Sequence, residues 1–379
     1  MKITLFANTD WYLHNYRMSL AEILRDLQND LILLSPSGNY SNQIGSLGFD
    51  WREVKISRSG INPLREIQTI FHLVRIYRHE KPDLVHHFTS KCVLYGSVAA
   101  KLAGITRIVN SVTGMGFVFT KNTLLTFFLK PFVILFYRLS LTNTRVIFQN
   151  KRDMDFFIDH HLVKPSNCAL IPSSGVDLKK FHPSRYQKGD PLIILPARML
   201  WDKGIGEFFE AAKLLKNKGI KARFALVGGP DPDNPSSISE EQLEQWSRSE
   251  IIEYWGWQAD MTSVYQRSSV VCLPSYREGL AKGLIEAAAC GRALVSSDIP
   301  GCREVVMHGV NGFLVPPRKI IPLAEAIEKV ILDKQLMTRM GKESRKIAER
   351  EFSVEKVNRE TIFEYNKLIT GEPAKKLVY

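Results

Sequence analysis

At 379 residues, the chain exceeds one ordinary core and fits two domains of about 150–200 residues each. Its 45% hydrophobic and 24% charged residues exclude disordered, collagen-like and disulfide-scaffold classes, and no uncharged apolar run approaches the ~20 residues of a spanning helix. The net charge of +12 is uneven: residues 1–190 hold 24 Lys+Arg against 14 Asp+Glu, residues 191–379 hold 27 against 25, and no acid lies between Asp83 and Asp153.

Taken in chain order, Ile3–Ala7 reads as a first strand, with no secretory signal expected ahead of it. Leu31–Ser35, Leu84–Phe88, Ile108–Ser111 and Val146–Gln149 follow as strands, and helical periodicity is clear at Leu64, Ile67, Ile70, Phe71, Val74 and Tyr77. Residues 117–139 stand apart as an aromatic, acid-free stretch carrying Phe127, Phe128 and Phe132 and interrupted by Lys121 and Lys130. Pro131 is expected to split it into a helix pair. Rings that sit in a lipid interface beside cations are what a membrane-surface anchor requires; the alternative is a buried helix of the first domain.

A join is expected near Phe181–Pro191, where Pro183, Gly189 and Pro191 interrupt both patterns, giving domains 1–188 and 189–354. Beyond it, Leu192–Ala197, Ala222–Gly228, Ile251–Trp255, Val270–Pro274, Ala293–Ser297 and Gly312–Val315 alternate with helices such as Gly206–Lys218 and Leu280–Ala289. A last helix begins about Glu355 and is expected to cross back to the first domain. This β-α repetition predicts an α/β protein of two doubly wound parallel sheets. Ligands bind such sheets beyond the carboxyl ends of the strands, so two sheets facing each other would form one cleft. The five cysteines are scattered and never spaced C-x-x-C, as expected of reduced thiols rather than a zinc site.

The segment Pro274-Ser275-Tyr276-Arg277-Glu278-Gly279-Leu280-Ala281-Lys282 follows a strand, turns at Gly279 and enters an Ala-rich helix that carries Glu286. Backbone N–H groups at that helix start suit an anion. A carboxylate at Glu286 suits the cis-diol of a ribose, and Glu278 suits hexose hydroxyls. The other reading of both is helix-flanking surface charge. Ala197-Arg198-Met199-Leu200-Trp201-Asp202-Lys203 also links a strand to a helix, with a guanidinium fork and a mobile ammonium fit for phosphate oxygens. Asp231-Pro232-Asp233 and Asp153-Met154-Asp155 have the spacing of a divalent-metal motif, but Asp equally favours turns and helix starts, and no metal site is expected.

The E-x7-E pair Glu278/Glu286, the Arg198-x4-Lys203 pair and the string from Gly301 to Pro316 together resemble the retaining family-4 glycosyltransferases of the GT-B fold, in which two Rossmann-like domains face each other across a cleft. The resemblance covers essentially the whole chain. It implies a UDP-sugar donor in the second domain: Glu286 on the ribose, Arg198 and Lys203 on the diphosphate, Glu278 with the backbone of Gly279, Leu280, Ala281 and Lys282 on the sugar, and the backbone near Trp257 on the base. Trp257 as a core ring is an equal account. The resemblance also implies catalysis without metal or other cofactor.

In the first domain, Asn8-Thr9-Asp10-Trp11 replaces the Gly-Gly pair common in the family, and Thr113 stands where many relatives have His. His14, Arg17, His86, His87 and Thr113 are the acceptor-side candidates, with a structural histidine or surface arginine as the other reading. The Asn8–Tyr12 and Thr113–Phe117 strings and Tyr276–Lys282 resemble the bacterial subgroup that extends undecaprenyl-diphosphate-linked sugars. That resemblance implies a lipid-linked saccharide acceptor, a membrane surface as partner through residues 117–139, and a peripheral or monotopic place on the cytoplasmic face of the inner membrane, in O-antigen, capsule or protein-glycosylation precursor assembly.

Three rivals remain from sequence. A UDP-N-acetylglucosamine 2-epimerase type shares the architecture but needs no membrane stretch. A non-catalytic sugar-nucleotide or membrane-binding partner would not need the Glu278, Glu286, Arg198 and Lys203 set. A nucleic-acid binder would interleave basic and aromatic residues, whereas here the aromatics cluster in apolar runs, so no nucleic acid is expected.

Overall fold

A computed structural model describes residues 1–56, 63–114, 124–172, 174–232 and 234–371. The chain divides into two units: unit 1 is Met1–Gly175 with the chain from Glu355 onward, and unit 2 is Val176–Val354. The division precedes the expected join because Val176 already belongs to unit 2. Its N–H donates to the Phe352 carbonyl, its carbonyl accepts from Val354 N, and Phe181 packs into the unit 2 core.

The sheet of unit 1 consists of β1 (Lys2–Phe6), β2 (Asp30–Ser35), β3 (Asp50–Glu53), β4 (Leu84–Phe88), β5 (Ile108–Val112), β6 (Arg145–Phe148) and β7 (Cys168–Leu170), in the order β3-β2-β1-β4-β5-β6-β7 among the described residues. All neighbours are parallel, with Leu5 opposite Leu33 on one side and His86 on the other. Alternation along β2 sends Leu31 and Leu33 to one face, and Ile32 and Leu34 to the other. Each face is therefore covered by its own core. One holds Leu73, Tyr77, Tyr95 and Tyr137; the other holds Leu20 and Leu24 with Val357, Ile362 and Tyr365 of the C-terminal helix Val354–Thr370.

In unit 2 the strands are β8 (Leu192–Pro196), β9 (Arg223–Val227), β10 (Glu253–Tyr254), β11 (Val270–Leu273), β12 (Ala293–Ser297) and β13 (Gly312–Val315), ordered β10-β9-β8-β11-β12-β13. Every residue of β8, β11 and β12 is buried, as parallel strands covered on both faces require. Local chemistry sets the helix starts. Asn150, Ser239, Asp260 and Asp333 each accept an N–H from the first turn of the helix that follows.

One reading of the first half is corrected. Pro131 does not split its segment: one helix runs Leu124–Leu141 through it. The lost hydrogen bond is outweighed by burial of Tyr137 and Leu141 against the sheet. The helix that the periodicity from Leu64 to Tyr77 indicates runs Pro63–Glu80; on it Leu73, Val74 and Tyr77 are buried, whereas Leu64, Ile67 and Phe71 are exposed.

Candidate active site

The order of the unit 2 strands reverses between β8 and β11, and the loops leaving these two strands carry the polar set. After β8, residues 197–200 lead into a short 3₁₀ turn, Trp201–Lys203, and Gly204 turns the chain with φ +72° into the helix Ile205–Asn217. A Cβ at Gly204 would lie 2.1 Å from the Pro274 carbonyl oxygen, so only glycine lets this loop close on the end of β11. The Tyr276 N–H donates to the Asp202 carbonyl at 2.8 Å and ties the two loops together.

Lys203 and Glu278 meet in this way. Lys203 Nζ is 2.7 Å from Glu278 Oε1, and Ser275 Oγ donates to the same oxygen at 2.7 Å. Both charged side chains are largely buried. An ammonium has three donors, so Lys203 can hold Glu278 and still face a phosphate oxygen. Below them the Tyr276 hydroxyl donates to Glu207 at 2.6 Å while the Arg318 guanidinium lies over its ring at 4.3 Å. Burial and the Glu207 carboxylate push that phenol up to about 12, so it remains a donor.

The helix beyond begins at Lys282, two residues later than expected. The Ala281 N–H reaches across to the Gly301 carbonyl at 3.3 Å, which keeps Leu280 and Ala281 in the loop. A Cβ on Gly301 would lie 2.4 Å from the Glu278 carbonyl oxygen, so the Glu278 backbone rests directly on that glycine. Ala281 offers no side-chain cap to the first turn of Lys282–Ala289, which leaves the positive end of the helix to a ligand.

Glu286 lies one turn further on, half-buried, and accepts the Tyr265 hydroxyl at 3.1 Å. Burial raises its pKa above the ordinary carboxylate value, opposed by the Lys282 charge, the Tyr265 hydroxyl and Lys180. Arg198 is exposed and paired with Asp231 at 2.5 Å. Asp231 is thereby a counter-charge to Arg198, while Asp233 lies outside the described residues. Trp257 follows β10 and is 66% exposed, which corrects its reading as a core ring. Glu278, Lys203 and the Gly279–Lys282 loop are thus brought together at the strand ends, with Arg198, Glu286 and Trp257 on neighbouring elements. Sequence reasoning missed Tyr265, Ser275 and the Tyr276–Glu207 pair.

In unit 1 the two histidines of β4 are structural. His86 Nδ1 meets the Tyr365 hydroxyl at 2.5 Å and Nε2 meets Ser111 Oγ at 2.7 Å. His87 Nδ1 meets Asn110 Oδ1 at 2.9 Å and Nε2 meets the Tyr77 hydroxyl at 3.1 Å. All four ring nitrogens are engaged and both rings are fully buried, so neither reaches an acceptor. Burial pushes His87 down to about 4 and holds His86 well below the usual range, so both are neutral. His14 packs against Tyr40, ring centroids 4.8 Å apart. Thr113 is half-buried just beyond β5. Arg17 is buried rather than on the surface. Of the membrane candidates, Lys130 and Phe132 are exposed; Lys121 and the side chains of Phe127 and Phe128 lie outside the described residues. No helix among the described residues is long and apolar enough to cross a membrane.

Among solved structures, a glycosyltransferase from Rickettsia africae superposes with a TM-score of 0.80 at 18% identity, over 98% of this chain and 99% of that one. Anabaena HepE in complex with UDP gives 0.77 at 18% identity, over 96% and 98%. Two Rossmann-like α/β units of this kind are the GT-B architecture. Residues 177–347 match the family model for glycosyl transferases group 1, and residues 2–151 match the glycosyl transferase 4-like model. Each half of the chain thus matches a glycosyltransferase model, and the chain is a glycosyltransferase. It is 28% identical, over 90% of its length and 92% of the relative's, to N,N'-diacetylbacillosaminyl-diphospho-undecaprenol alpha-1,3-N-acetylgalactosaminyltransferase of Campylobacter jejuni. To the UDP-Gal:alpha-D-GlcNAc-diphosphoundecaprenol alpha-1,3-galactosyltransferase of Escherichia coli it is also 28% identical, over 73% of each chain.

Proposed function

We propose that this enzyme moves a hexose or N-acetylhexosamine from a UDP-sugar to an undecaprenyl-diphosphate-linked saccharide, with retention of configuration, at the cytoplasmic surface of the inner membrane. The observation that carries the donor half is the Lys203–Glu278 pair at the uncapped start of Lys282–Ala289, where β8 and β11 part. Glu286 accepts the ribose hydroxyls. Lys203, Arg198 and the helix start take up the charge of the departing diphosphate without a metal ion. Glu278 and the loop to Lys282 hold the sugar hydroxyls, and the backbone beside Trp257 holds the base.

The bond between the anomeric carbon and the UDP β-phosphate oxygen breaks as the acceptor oxygen bonds to the same face of that carbon. The acceptor's proton passes to the leaving phosphate, so no side-chain nucleophile is needed. The acceptor half is supported by the diphosphoundecaprenol substrates in the names of two relatives and by the basic excess of residues 1–190. Exposed Phe132, Leu135 and Leu139 at i, i+3 and i+7 of one helix, beside Lys130, suit an anionic lipid surface.

The test is transfer from a panel of radiolabelled UDP-sugars to a lipid extract of bacterial membranes, with Glu286→Ala as control. Label entering the organic phase with one donor supports the reading and names the sugar. Label that stays in water, or none from any donor, overturns the lipid acceptor.

A further inference from the structure

We infer that Ser275 is a positioning residue of the donor site: its hydroxyl holds Glu278 in place while Lys203 turns to the diphosphate. The inference rests on the function proposed above, in which Glu278 holds the sugar and Lys203 the phosphate.

Ser275 and Glu278 stand three residues apart, the spacing of a helix capping box. In such a box the hydroxyl accepts from the glutamate N–H, and the carboxylate reaches back to the serine N–H. This chain uses the pair differently. Residues 275–281 lie outside any helix, and the next one starts only at Lys282. The Ser275 hydroxyl donates to the carboxylate itself, 2.7 Å from Oε1. A pair that caps no helix orients a side chain instead.

The surroundings make Ser275 a fixed point. It is fully buried just beyond β11, and the Tyr276 N–H that follows is held by the Asp202 carbonyl at 2.8 Å. The Glu278 backbone in turn rests on Gly301. The loop's other hydroxyl, on Tyr276, is committed to Glu207 at 2.6 Å. Ser275 alone in this loop thus supplies a hydroxyl to Glu278.

Two donors, Ser275 and Lys203, converge on Oε1, and no hydrogen bond from the described residues reaches Oε2. The two donors differ in reach. Lys203 carries its ammonium on a flexible four-carbon stem and can follow a phosphate oxygen. A serine hydroxyl sits one staggered torsion from a buried backbone and cannot. A diphosphate competes for the ammonium, whereas the short, charge-assisted Ser275 bond persists. It keeps Oε1 turned to the protein and leaves Oε2 to the sugar hydroxyls. Without it, each movement of Lys203 toward phosphate would release Glu278.

The test is calorimetric binding of UDP and of whichever binds tightest among UDP-glucose, UDP-galactose, UDP-N-acetylglucosamine and UDP-N-acetylgalactosamine. Wild type, Ser275→Ala, Glu278→Ala and the double variant are compared, with melting curves to confirm folding. The quantity read is the ratio of the UDP-sugar Kd to the UDP Kd, in which effects on the nucleotide alone cancel. The ratio should rise about tenfold in Ser275→Ala, at least as much in Glu278→Ala, and no further in the double variant. A serine that merely shapes the loop would weaken UDP and UDP-sugar alike, or add its loss to that of Glu278→Ala. Both results overturn the inference. Should Ser275→Ala not fold, Ser275→Cys replaces the hydroxyl with a weak donor of similar size; a raised ratio supports the role and an unchanged one overturns it.

The same data separate this inference from the reading beneath it. A ratio that rises in Glu278→Ala but not in Ser275→Ala overturns the positioning role alone. A ratio unchanged in Glu278→Ala removes Glu278 from the sugar, and the positioning role falls with it. Binding is read without acceptor, so no outcome depends on transfer to lipid.

Discussion

The Tyr265 hydroxyl donates to Glu286 Oε2 at 3.1 Å from a fully buried ring. A carboxylate raised in pKa by burial is thereby kept able to ionise, because the phenol favours the charged form. Only the ionised form accepts from both hydroxyls of a diol. UDP-sugar affinity should therefore fall as pH drops through the raised pKa of Glu286, above the ordinary carboxylate range. The stability sign is opposite: the folded state binds this proton more readily than the unfolded, so stability falls as pH rises from the ordinary value through the raised one. Tyr265→Phe should move the affinity limb to higher pH and raise the donor KM by about tenfold or more, since a hydrogen bond to a charged group contributes about 1.5–3 kcal/mol. Glu286→Gln should abolish the limb. Donor titrations carried upward from the ordinary carboxylate range check both.

Lys203→Ala removes the ammonium that Glu278 faces. If Lys203 stabilises the leaving diphosphate, kcat should fall by about 10²–10³-fold with a smaller change in donor KM. Steady-state kinetics, with melting curves to confirm folding, separate this from a structural loss. An unchanged kcat would remove Lys203 from the reaction.

Gly301→Ala tests the seat of Glu278. The new methyl would meet the Glu278 carbonyl oxygen at 2.4 Å, so the loop from Ser275 to Ala281 must shift. Transfer should drop by at least about tenfold for a displacement near 1 Å, whereas UDP affinity, which the proposed function assigns to Glu286, should change less. Comparing kcat with UDP affinity by calorimetry shows which part moved.

Phe132, Leu135 and Leu139 are all more than half exposed on one helix face. Replacing the three with Ser should leave the melting temperature nearly unchanged, since exposed sites away from special features are usually within about 0.5 kcal/mol. It should release the protein from anionic liposomes, and raised salt should weaken wild-type binding. Cosedimentation that persists in the variant would place the contact elsewhere.

Eleven of the thirteen described strands were legible as apolar runs, because interior parallel strands are buried on both faces. The two that were not, β3 and β7, lie at the edge of their sheet and are only half-buried, so Asp50-Trp51-Arg52-Glu53 carries no apolar signal. Glu278, Glu286, Arg198 and Lys203 were legible because glycine turns and helix starts fix their spacing. Their partners were not: Tyr265 lies on a separate short helix, and Asp231 on a loop whose spacing pointed equally to a turn. His86 and His87 misled for the same reason. A histidine at a strand end looks like a ligand until its partners, Tyr365 at 279 residues' distance and Tyr77 on another helix, are in place.

The closing helix Val354–Thr370 supplies Tyr365 to His86 and Val357 and Ile362 to a core of unit 1. Unit 2 is continuous in sequence, whereas unit 1 is sewn from both ends of the chain. On the ribosome, unit 2 can therefore reach its native state while unit 1 still lacks one wall of its core. Until that helix emerges, His86 has no phenol to bond and the sheet face carrying Leu5 and Leu33 stays open to chaperones or to aggregation. The half of the enzyme that is synthesised first is the half that matures last.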